Sequence, residues 1–91
     1  MNVSQARELV NQIGTANVLA ISGGRVRLED GMLVLPVSNG YSVEVEYDKG
    51  WDSYTVRRVF ARGGTKWVKS EVENVYCGEI GEVAYRAHLH D

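Results

Sequence analysis

The sequence predicts an α+β domain: an N-terminal helix, an antiparallel meander of five to six strands, and a C-terminal helix packed on the sheet. Three observations carry this. Apolar residues recur at helical spacing near both ends of the chain. Between them lie short apolar or alternating runs of strand length. Those runs are separated by Gly-Gly, Asp-Gly and Asn-Gly pairs, which supply the positive φ angles that tight hairpins need.

The first helix opens the chain. Ser4 is the expected cap, and Glu8 sits early, where the helix dipole favours negative charge. Ala6, Leu9, Val10 and Ile13 form one apolar face, and Gly14 is the expected stop. A helix of about three turns needs the sheet for its stability.

Residues 18–22, 25–29 and 32–37 read as three strands joined by Gly23-Gly24 and Asp30-Gly31 hairpins. If both turns are tight, Leu19 and Ile21 pair with Leu28 and Val26, which pair in turn with Leu33 and Leu35. All six would then share one face of the sheet. Pro36 cannot donate to a ladder and is expected at a strand end or edge.

Ser38-Asn39-Gly40 makes the next turn. Residues 41–48 alternate cleanly, with Tyr41, Val43, Val45 and Tyr47 on one face and Ser42, Glu44, Glu46 and Asp48 on the other. The three carboxylates are expected to be solvated. A loop at Lys49-Gly50-Trp51 leads to a strand over 54–62, a Gly63-Gly64 turn and a strand over 65–72. A tight turn there sets Phe60 opposite Trp67 and Arg58 opposite Lys69, with Val59 facing Val68 and Ala61 facing Lys66. Neither face of this hairpin is clean. A bulge at Arg57-Arg58 would repair the pattern, or both faces are partly covered, one by the protein's own helix and one by a partner.

The last helix is expected over residues 74–88, with Tyr76, Ile80, Val83, Ala84 and Ala87 on one stripe. Gly78 and Gly81 each cost about 1 kcal/mol relative to alanine there, which points to close approach to the sheet or another helix. The expected core is Leu9, Ile13, Leu19, Ile21, Val26, Leu28, Leu33, Leu35, Val43, Val45, Ile80 and Val83.

Composition bounds the rest. With 91 residues, 44% hydrophobic and 24% charged, the chain fits one globular domain over residues 1–91 rather than disorder. Its net charge of −2 gives no general attraction to polyanions. It has a single cysteine, Cys77, so no disulfide can form within the chain. That, with no signal-peptide pattern and no membrane-length apolar run, leads to the expectation of a cytoplasmic protein without a membrane partner.

Charge is uneven along the chain. Arg57, Arg58, Arg62, Lys66 and Lys69 fall in a stretch without a carboxylate, interleaved with Tyr54, Phe60 and Trp67. Cations with flat rings are the ingredients of single-strand nucleic-acid binding, so Arg57, Arg58, Phe60, Arg62, Lys66, Trp67 and Lys69 are the candidate binding residues. The competing readings are a protein-binding surface and a solvated hairpin. In the last, pairing Tyr47 with Tyr54 sets Glu44 opposite Arg57 as an ordinary cross-strand ion pair.

No catalytic or cofactor grouping emerges. Both Gly-Gly pairs precede β-like segments, so they read as turns and not as a phosphate cradle. His88 and His90 are two apart, which puts them on different faces of a helix; a frayed terminus is the expectation rather than a metal site. Cys77 is expected to be a buried, inert thiol. Ser22 and Ser38 have no histidine near them in sequence. The chain is therefore expected to be non-enzymatic, with no cofactor and no metal.

Four stretches carry a resemblance: Ile21-Ser-Gly-Gly-Arg-Val, Leu35-Pro-Val-Ser-Asn-Gly-Tyr, Tyr54-Thr-Val-Arg-Arg-Val-Phe and Gly81-Glu-Val-Ala-Tyr-Arg-Ala. Over most of its length the chain resembles small conserved proteins of unknown function from actinobacterial phages, mycobacteriophages included. The resemblance implies a phage accessory protein acting in the host cytoplasm, and it carries no site residue. The function expected is a protein-interaction module, acting on itself or on a host or phage protein. The alternative is a nucleic-acid binder using the basic hairpin.

Overall fold

The computed structural model describes residues 1–89. It is an α+β fold with three helices and one five-stranded antiparallel meander, in the order β1-β2-β3-β4-β5.

Helix α1 spans Val3–Ile13. Its cap is Asn2 rather than Ser4. The Asn2 side chain accepts from the Gln5 amide at 2.8 Å, and the Gln5 side chain accepts from the Asn2 amide at 2.9 Å. This reciprocal box satisfies two otherwise orphaned donors, which a cap at Ser4 would leave unpaired. Ala6, Leu9 and Ile13 are buried as expected, and Gly14 ends the helix.

The chain then turns at Gly14 and starts a second helix, α2, over Thr15–Ser22. The strand expected at 18–22 does not exist. A short run this apolar reads equally well as strand or buried helix, and periodicity cannot separate them. The Gly23-Gly24 pair is a helix stop, not a hairpin. Gly23 is left-handed at φ 66°, and its N–H and that of Gly24 reach back to the Leu19 and Val18 carbonyls. Consequently Leu19 is 56% exposed, and Val26 and Leu28 lose the strand that would have covered them. Those three residues drop out of the expected core.

Strand β1 is only Arg27–Glu29, wholly exposed, and forms one edge of the sheet. Asp30 and Gly31, both at positive φ, make the expected tight turn into β2, Met32–Pro36. Leu28 faces Leu33 as read, and Pro36 closes its strand. Strand β3 is Tyr41–Asp48 and β4 is Ser53–Arg62, with Tyr47 opposite Tyr54 and Glu44 opposite Arg57.

Gly63 and Gly64 turn the chain into β5, Thr65–Val75. Phe60 faces Trp67, Val59 faces Val68 and Ala61 faces Lys66, but Arg58 faces Ser70 and not Lys69. The register slips between Arg58 and Val59, so the extra residue, Lys69, lies in β5 rather than at Arg57-Arg58. A second slip between Tyr54 and Val56 accompanies Asn74 at φ 56°.

The last helix, α3, is Ile80–His88, later than expected. Asn74 and Val75 belong to β5, because Val75 buries completely opposite Tyr54. Gly81 makes the close approach that its presence implied. A Cβ there would lie 2.6 Å from the Ile13 carbonyl oxygen. At Gly78 the same atom would meet nothing within 4 Å.

All three helices join one core with the face of the sheet bearing Leu33, Leu35, Val43, Val45, Val56 and Val75. Of the expected core, Leu9, Ile13, Ile21, Leu33, Leu35, Val43, Val45 and Ile80 are buried, and Val83 packs at its margin. No helix among the described residues is long and apolar enough to cross a membrane.

Candidate binding surface on the last hairpin

Strand alternation divides the basic hairpin between two faces. Arg57 and Lys66 lie on the face away from the helices, and both are held in ion pairs. Arg57 bonds Glu71 through Nε at 2.6 Å and Glu46 through Nη2 at 2.8 Å. These two carboxylates hold its guanidinium even more firmly protonated than usual. Lys66 meets Glu44 at 2.5 Å. The expected Glu44–Arg57 pair has the right register but the wrong partners, because each charge reaches diagonally to a neighbour.

Glu44 is buried, not solvated as expected, with only 4% of its surface exposed. Val34 and Val59 are buried on the same face. Asp48 instead accepts from the Gly50 and Trp51 amides and organises the β3–β4 turn.

Arg58, Phe60 and Trp67 lie on the helix side of the sheet. Cross-strand pairing places Tyr41 of β3, Phe60 of β4 and Trp67 of β5 in one row. Phe60 sits between the other two, 4.8 Å from Tyr41 and 5.6 Å from Trp67 by ring centroid. The Arg58 guanidinium lies 3.9 Å over the Tyr41 ring, and the Lys69 ammonium is 6.0 Å from Phe60. Arg62 is exposed beyond the row.

Beside this row, a cleft of about 690 Å³ opens between β4–β5 and the C-terminal half of α3. Val56, Val72, Val83, Ala87 and Leu89 supply its apolar surface, and Arg58, Lys69 and Arg86 its charge. Among the described residues no carboxylate lines it. Exposed apolar groups occur on both faces of β5: Trp67 at 45% and Val72 at 46% on the helix side, and Val68 at 56% on the other.

Of the seven candidate residues, the structure thus brings Arg58, Phe60, Trp67 and Lys69 together and diverts Arg57 and Lys66. Sequence reasoning missed Tyr41, although the register that pairs Tyr47 with Tyr54 also pairs Tyr41 with Phe60. Nothing in the sequence pointed to Arg86 and Leu89, which arrive through the docking of α3.

The remaining chemistry-bearing residues have local roles. The Ser22 hydroxyl, with one proton to give, lies 2.6 Å from the Arg25 carbonyl and 3.1 Å from that of Val18 and serves as a local backbone donor. Cys77 is exposed in the turn after β5, not buried as expected. His88 packs edge-on against Tyr85, and His90 lies outside the described residues.

No family model, curated protein or solved structure matches the chain.

Proposed function

We propose that this chain is a non-enzymatic protein-interaction module whose working surface is the Tyr41–Phe60–Trp67 row with Arg58, Lys69 and the adjoining cleft. One observation carries the reading: the row joins partly exposed rings, with Trp67 the most exposed at 45%, to arginine beside an apolar cleft. Tyrosine, tryptophan and arginine dominate the energetics of protein interfaces: the aromatics bury a large area at small entropic cost, and arginine supplies a planar fork of donors. By the resemblance in its sequence, the partner is a phage or host protein met in the bacterial cytoplasm, with the chain as a phage accessory protein.

A homo-oligomer built by pairing β5 edge to edge is disfavoured. Two bulges, with Lys66, Lys69, Glu71 and Glu73 along the strand, blunt that edge as natural sheets do to prevent such pairing. Self-association would use another surface: the ring row, the outer face, the β1 edge or the apolar groove between α1 and β1.

Nucleic-acid binding, the second reading, takes support from the flat rings beside free cations. It is weaker because the rings face one another. Phe60 is flanked on both sides, and Arg58 occupies the face of Tyr41, which leaves Trp67 as the ring with most area for a base.

The test is capture of partners from actinobacterial host lysate, infected and uninfected, on the wild-type chain and on Trp67→Ser. The reading expects a protein retained by the wild type and released by the substitution. Trp67-independent capture, or salt-sensitive binding of oligothymidylate in place of protein, would refute it.

A further inference from the structure

We infer that the cleft between α3 and the β4–β5 hairpin takes a short acidic peptide segment, with an apolar side chain on the valine floor and a neighbouring carboxylate on Arg58 and Lys69. This rests on the protein-interaction reading and names the chemistry of the partner.

The floor sets the first requirement. Val56, Val72, Val83, Ala87 and Leu89 are aliphatic, and Val72 and Leu89 are about half exposed. A groove of this size with apolar walls and few convergent polar groups suits a side chain driven by burial. Tyr41 also lines the cleft, but the Arg58 guanidinium already lies 3.9 Å over its ring, where a nucleobase would have to stack.

The rim sets the second requirement. Arg58, Lys69 and Arg86 converge without an opposing carboxylate among the described residues. Arg58 Nε is buried and makes no hydrogen bond among the described residues. A buried guanidinium donor left unpaired is costly, and a planar carboxylate is the acceptor its fork fits. Arg57, the neighbouring arginine, shows the contrast, because its donors are met by Glu46 and Glu71 within the chain. Among the described residues Arg86 is tied to Glu82, four residues back on the same exposed helix surface. Such a pair is weak, so Arg86 can turn to a ligand at little cost. Charge complementarity therefore selects an acidic partner, and the valine floor selects one with an adjacent large apolar residue.

The test pans a random dodecapeptide display library on the full-length chain at about 0.15 M salt, where screening suppresses purely long-range attraction. The leading sequence is then synthesised as a free peptide. The inference expects Asp or Glu enriched within two positions of Leu, Ile, Phe or Trp. Binding of the free peptide should fall about tenfold or more in Arg58→Lys, which keeps the charge and loses the fork. It should fall comparably in Lys69→Glu, an exposed position where folding is not at stake. In the NMR spectrum the Arg58 Nε–Hε signal should move on binding.

Enrichment without acids, or acidic peptides that bind both variants as well as wild type, would overturn the inference. Apolar peptides that need Trp67 but not Arg58 would overturn it and leave the interaction module standing. Oligothymidylate binding more tightly than the peptide, through Arg58, would overturn both.

Discussion

Substituting Gly81 by alanine sets helix propensity against packing, and the structure says which wins. Alanine is favoured over glycine inside a helix by about 1 kcal/mol. At Gly81, however, the new methyl carbon would sit 2.6 Å from the Ile13 carbonyl oxygen and 2.9 Å from Asn17 Nδ2. The carbonyl is backbone at the end of α1 and cannot rotate away. Asn17 already donates to that oxygen at 2.8 Å, so the methyl also displaces this hydrogen bond. Overpacking costs about 1–3 kcal/mol, and the displaced bond about 1 kcal/mol more. The net, after the propensity gain is subtracted, is a loss of about 1–3 kcal/mol, or a fall of at least about 4 °C in Tm for a domain of this size. Urea and thermal unfolding followed by circular dichroism measure it. Gly78→Ala is the control, expected within about 0.5 kcal/mol of wild type because nothing lies near its added carbon. A Gly81→Ala protein as stable as wild type would refute the docking of α3 against α1, and with it the wall of the cleft.

Lys66→Met strips the buried Glu44 of its ion-pair partner. Lys66 is itself half exposed, so the expected loss is about 1–3 kcal/mol, below that of a fully buried pair. Adding Glu44→Gln should restore most of it; equal urea midpoints for all three proteins would contradict the pairing. Tyr54 donates to Gln12 at 3.2 Å, and burial followed by the charge of Asp52 pushes its phenol above the ordinary value near 10. The neutral phenol is thus favoured in the folded state. Its contribution is complete below pH ~10 and disappears as pH rises through the elevated folded value. Tyr54→Phe should raise the pH of alkaline unfolding while lowering stability at pH 7 by about 1 kcal/mol or less. Residual alkaline sensitivity should remain from Tyr47, whose hydrogen bond to Asp52 raises it too. An unchanged alkaline midpoint would contradict the burial of Tyr54.

The strands from β2 to β5 could be read from the sequence because turn chemistry and alternation agree there. Asp30-Gly31, Asn39-Gly40 and Gly63-Gly64 all adopt the positive φ angles their residues favour. The Gly63-Gly64 turn sets Phe60 opposite Trp67, and once Tyr47 is placed opposite Tyr54, Glu44 falls opposite Arg57. Residues 15–22 defeated the same logic. Their apolar run carries no strong period, and Gly23-Gly24 serves a helix end as well as a hairpin. The error spread from there to Leu19, Val26 and Leu28. The candidate site was half visible. Its residues were found by composition, but composition cannot say which face a charge occupies once bulges shift the strand. Arg57 and Lys66 turned to internal carboxylates, while Arg58 and Lys69 stayed with the rings.

The most direct measurement is the footprint of a bound ligand on the folded chain. Backbone and arginine side-chain NMR shifts, recorded while the selected acidic peptide is titrated in, report every residue at once. The account predicts the largest changes at Tyr41, Arg58, Phe60, Trp67 and Lys69 and along the C-terminal turn of α3. Changes centred instead on the apolar groove between α1 and β1, at Val3, Val10, Val26 and Leu28, would contradict it.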